Sequence, residues 1–112
     1  MALPHAQSCE VVSLRPLGPR LHDTPTSALI KAGQLEVIRV VLPAGKEQHQ
    51  HDAPGEITLL CLEGEVLFQA GAQSHTLREG DFLHLVPRIP HVLRALQDAS
   101  LLVTICLVPV RA

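Results

Sequence analysis

A chain of 112 residues is long enough for one hydrophobic core and too short for two, so a single domain over residues 1–112 is expected. With 46% hydrophobic and 18% charged residues the composition is not that of a disordered chain, and a net charge of −2 leaves no basic footprint for nucleic acid. Trp and Tyr are absent and the two phenylalanines are Phe68 and Phe82, which excludes an aromatic platform for stacking bases.

Residues 1–10 have neither a charged n-region nor an apolar h-region, so they do not read as a signal peptide. Residues 10–14 predict a first strand, which Pro16-Leu17-Gly18-Pro19 ends, and residues 20–27 read as an irregular connection. Residues 28–32 suit either a short strand or a helical turn. Residues 34–42 carry Leu35, Val37, Ile38, Val40 and Val41 and predict a strong strand. Pro43-Ala44-Gly45 turns the chain toward a histidine pair, and Pro54-Gly55 marks the next turn.

Strands are then predicted over 57–62, 65–70, 74–77, 82–86, 91–96 and 100–108, separated by Gly, Pro and Asp turns. About ten short strands at such even spacing indicate an all-β sandwich or barrel. The most apolar run, residues 101–110, contains Thr104 and Pro109 and is too short to cross a bilayer. Cys9, Cys61 and Cys106 lie far apart with no Cys-x-x-Cys spacing, which favours reduced thiols in a cytoplasm, with Cys61 and Cys106 as small strand fillers. So much apolar residue in so small a chain leads us to expect a homodimer that buries one sheet face.

The chemistry concentrates in His49-Gln50-His51-Asp52-Ala53-Pro54-Gly55-Glu56 and in His91. Histidines at i and i+2 of a strand share a face, roughly 6–7 Å apart. Neutral imidazoles with a nearby carboxylate make a mixed N/O set for a transition metal. His84 alternates with Leu83 and Leu85 and is expected to face away from them, while His5, His22 and His75 read as surface residues.

In these segments the chain resembles the cupin superfamily, specifically its small single-domain RmlC-like members. The first family motif, G-x5-H-x-H-x3-4-E-x6-G, here reads Gly45-x3-His49-x-His51-x4-Glu56-x7-Gly64. The second, G-x5-P-x-G-x2-H-x3-N, is kept in length from Gly80-Asp81 to His91, with Val86, Arg88 and Ala95 at its Pro, Gly and Asn positions. The resemblance spans about residues 35–108 and implies a jelly-roll barrel. It also implies that His49, His51, Glu56 and His91 hold one divalent ion (Fe, Mn, Ni or Zn), with no organic cofactor. Such a site would bind or transform a small molecule, with a dioxygenase-like reaction as the analogy.

The spacing from Glu56 to Gly64 is one residue longer than the motif's, and a one-residue slip moves a side chain to the other face of a sheet. Counted from the Leu62-Glu63-Gly64 turn, Ile57, Leu59 and Cys61 face one way and Glu56, Thr58, Leu60 and Leu62 the other. This phasing supports an alternative: a metal-free ligand-binding or sensory protein with a pocket of Ile57, Leu59, Cys61, Leu83 and Leu85. A structural dimer with vestigial histidines is the third reading. Arg88, in the loop before His91, is the candidate anion or substrate contact.

Overall fold

The computed structural model of the protein describes residues 5–50 and 53–108. Segments rich in β-branched and aliphatic residues become strands: β1 (Ser27–Lys31), β2 (Leu35–Leu42), β3 (Glu47–Gln50), β4 (Ile57–Glu63), β5 (Glu65–Ala70), β6 (Gln73–Arg78), β7 (Phe82–Leu85), β8 (His91–Ala95) and β9 (Ala99–Cys106). They pair antiparallel in two sheets, one in the order β1-β2-β9-β4-β7 and the other in the order β3-β8-β5-β6. The chain changes sheet at every connection except the β1–β2 and β5–β6 hairpins, the wrapping expected of a jelly roll.

Alternation along each strand builds the core. Ile57, Leu59 and Cys61 of β4 meet Leu101, Val103 and Ile105 of β9 on the inner face of the five-stranded sheet. Val66 and Phe68 of β5 and Leu93 and Ala95 of β8 face them from the other sheet. Each buried aliphatic or aromatic side chain contributes about 1.5–3 kcal/mol relative to exposure. Burial pushes the Cys61 thiol above its ordinary pKa; a hydrogen bond with the Glu63 carbonyl works against this, and the charges of Asp81, Glu79 and Glu63 add to it. Cys61 is therefore an inert filler.

The expected first strand over residues 10–14 is not formed, which leaves nine strands among the described residues. That segment gives up edge pairing to lie across the outer face of the five-stranded sheet. Val12 and Leu14 rest there beside Val37, Leu102 and Thr104, after a turn closed by the Glu10 N–H on the Gln7 carbonyl at 3.0 Å. A short 3-10 helix, Gly18–Asp23, follows and buries Leu21. Part of the apolar face expected to need a second copy is thus covered by the chain's own N-terminal segment.

A buried ion pair fastens the segment. Arg39, on the outer face of β2 and 7% exposed, reaches the Arg15 carbonyl at 2.8 Å, the Glu63 carboxylate at 3.2 Å and the Ser100 hydroxyl at 3.2 Å. Glu63 in turn accepts the main-chain N–H groups of Leu17 at 2.9 Å and Gly18 at 3.0 Å. Burial alone would raise the Glu63 carboxyl. The Leu17 amide, the Ser100 hydroxyl, the Gly18 amide and Arg39 together hold it below the usual carboxylate range.

Candidate functional site

Only one of the sequence-predicted metal ligands is placed inside the barrel among the described residues. His91 opens β8, in the same inward phase as Leu93 and Ala95, and is 4% exposed. Its Nδ1 lies 3.1 Å from the Ile89 carbonyl. A carbonyl only accepts, so Nδ1 carries a proton; in the neutral ring this is the tautomer that suits a metal ligand or a hydrogen-bond acceptor at Nε2. The ring stands 5.7 Å from that of Phe68, which also stacks on His75 at 6.3 Å. His75 is exposed, as its place beside a hairpin suggests, and covers Phe68 from the solvent side.

The other described candidates lie elsewhere. In the β3–β8 pair, Gln48 is opposite the buried Leu93 and His49 is opposite Val92. Cross-strand partners share a face, so His49 lies on the side away from His91. It is more than half exposed and its Nε2 is 3.3 Å from the Glu47 carboxylate. Glu56 is exposed and bonds the His84 Nε2 at 2.6 Å, on the outer face of the five-stranded sheet where Thr58 is opposite His84. His51 lies outside the described residues.

Among the described residues no three His, Cys, Asp or Glu side chains come together to hold a metal ion. The donors His49, Glu56 and His91, as placed, do not converge on one ion.

What does converge is an apolar cavity of about 650 Å³ between the β5–β6 hairpin and β7, at the ends of the two sheets. Phe68, Leu83, Leu85, Val86 and Ile89 form its walls, and Gln73 and His84 are the polar residues of its rim. Its size is in the range that holds small ligands. Of the pocket expected from sequence, Leu83 and Leu85 line this cavity, whereas Ile57, Leu59 and Cys61 are packed into the solid core behind it. The lining contributed by Phe68, Gln73 and Ile89 had no local signal, because it depends on where two sheet edges end.

Arg88 is exposed and is not among the described lining residues. It is instead a backbone feature: φ is +61°, and its N–H reaches the Ala53 carbonyl at 3.2 Å. A left-handed arginine costs about 1–2 kcal/mol that glycine avoids, which accounts physically for the glycine that the second motif carries at this position.

The family model for the cupin domain matches residues 38–108. No curated protein matches the chain. Among solved structures, a cupin superfamily protein from Desulfitobacterium hafniense superposes with a TM-score of 0.70 at 17% identity, covering 74% of this chain and 76% of its own. HppE, solved with Fe(II) and substrate, gives a TM-score of 0.64 at 20% identity over 71% of this chain and 52% of its own. A variant of salicylate 1,2-dioxygenase from Pseudoaminobacter salicylatoxidans gives 0.60 at 21% identity over 64% of this chain and 21% of its own. At these identities the likeness establishes the fold. No helix among the described residues is long and apolar enough to cross a membrane.

Proposed function

From the premise that the chain belongs to the cupin domain family, we propose that it binds a small molecule in the cavity between the β5–β6 hairpin and β7, and that it does so without a metal ion. The observation that carries this reading is the cavity itself. Its walls are apolar, and Phe68 links it to the buried His91. His49 and Glu56, by contrast, are engaged with Glu47 and His84 on outer faces. Within this reading His91 stands behind the cavity wall, against Phe68, and the Ile89 carbonyl fixes its orientation.

A second reading draws on that same tautomer. A ring that donates Nδ1–H to a carbonyl presents Nε2 in the way metal-bound histidines do. His91 with His51 and His49 would then hold a divalent ion, with Glu56 as a fourth ligand, and the reaction would follow the iron-dependent relatives. His49 and Glu56 would both have to leave their present partners for this.

One experiment separates the two. A library of small apolar fragments is screened by thermal shift against wild type, against wild type with chelator, and against Leu85→Trp. A ligand raises apparent stability by mass action whether or not a reaction follows. The proposal expects hits that survive the chelator and vanish in Leu85→Trp, whose indole fills the cavity. Stabilisation by Fe, Mn, Ni or Zn that chelator and His91→Ala both abolish, with no fragment hits, would replace it with the metal reading.

A further inference from the structure

We infer that the molecule taken by this cavity is uncharged: a compact apolar body, such as an aromatic ring or short aliphatic group, ending in a neutral hydrogen-bonding group such as an amide, alcohol or ketone. The inference rests on the cavity being the small-molecule site and adds the class of ligand. Phe68, Leu83, Leu85, Val86 and Ile89 ask for an apolar body. The polar features are neutral ones. Gln73 brings an amide, both donor and acceptor. Among the described residues β7 ends its sheet and pairs with β4, so its other edge presents main-chain N–H and C=O groups.

No Lys or Arg is among the described lining residues. Among the described lining residues the titratable side chain is His84, and its ring is turned to the Glu56 carboxylate at 2.6 Å. A carboxylate or phosphate entering this cavity would shed water and meet no compensating Lys or Arg among the described lining residues, which an ion tolerates far less well than a neutral group does. Acids of the kind named for the salicylate dioxygenase are therefore outside the class, although the fold is shared. Arg88 belongs to the loop that supplies Val86 and Ile89 but not to the wall, so it does not reverse this selection.

The test uses a matched pair, benzamide and benzoate, titrated into chelator-treated full-length protein. Calorimetry reads the affinity, and methyl NMR of Leu83 and Leu85 reads the location. Benzamide is expected to shift those methyls and to bind about tenfold or more tightly than benzoate. In Gln73→Lys, which puts a cation at the wall, the preference should shrink or reverse.

Benzoate binding at the same methyls as tightly as benzamide would overturn the inference while leaving the cavity as the ligand site. No shift of either methyl with either compound at millimolar concentration would overturn the inference together with the reading it rests on.

Discussion

Replacing Glu63 by alanine should lower the unfolding free energy by about 3–5 kcal/mol, the range for breaking a buried ion pair from one side. The Arg39 guanidinium, 7% exposed, would lose its carboxylate, and the Leu17 and Gly18 amides would lose their acceptor. Domains of this size have only about 5–15 kcal/mol in hand, so the loss is readily measured by urea denaturation. Glu63→Gln, which keeps an acceptor for one amide, should cost less. Adding Arg39→Met to Glu63→Ala should recover part of the loss, because the stranded charge is removed.

The same carboxylate fixes a pH dependence. Its folded pKa lies below the unfolded value, so its contribution is complete above the unfolded value, about 4.3, and disappears as pH falls through the folded one. Wild type should therefore lose stability more steeply than Glu63→Gln on acidification below about pH 4. Equal acid slopes would show that Glu63 is not the carboxylate that ties the N-terminal segment down.

The second large effect is expected at Gly64, in the turn from β4 to β5. Its φ is +79°, and a Cβ there would run into the Asp98 carbonyl oxygen and Ala99. Alanine must therefore accept a left-handed backbone, about 1–2 kcal/mol, and also push apart the β8–β9 turn, for a total of about 3 kcal/mol or more. Gly71 is the internal control: φ is +58° but nothing lies within reach of a Cβ. Gly71→Ala should show the backbone cost alone. If the two alanine variants have the same denaturation midpoint, the close approach of the two turns does not stabilise the fold.

These two neighbours show why so much of the fold was legible. The Leu62-Glu63-Gly64 turn is punctuated by a glycine that the geometry requires, and counting from it gives the burial phase of β4, with Ile57, Leu59 and Cys61 inward. The strands of the core announce themselves by β-branched alternation. Residues 10–14 carry a similar signal in Val11 and Val12, yet form no strand, because pairing needs an edge and this segment is laid flat across a sheet face.

The site was less legible for the same kind of reason. Two histidines at i and i+2 of a strand are expected to share a face, but the sequence does not say which face His49 takes. That depends on the β3–β8 register, which pairs His49 with Val92. The cavity wall is assembled by residues as far apart as Phe68 and Ile89, and no local pattern joins them. Arg88 reads as an available charge in sequence, whereas its structural role is a strained backbone turn.

The most direct measurement is a site-resolved one: amide and methyl NMR shifts of the full chain on titration with the strongest-binding neutral fragment. Perturbations are expected to concentrate on Phe68, Gln73, Leu83, Leu85 and Ile89, to persist with chelator and to carry through Phe68 to His91. Perturbations confined to Val12, Val37 and Leu102 on the outer sheet face, with the cavity methyls unmoved, would contradict this expectation.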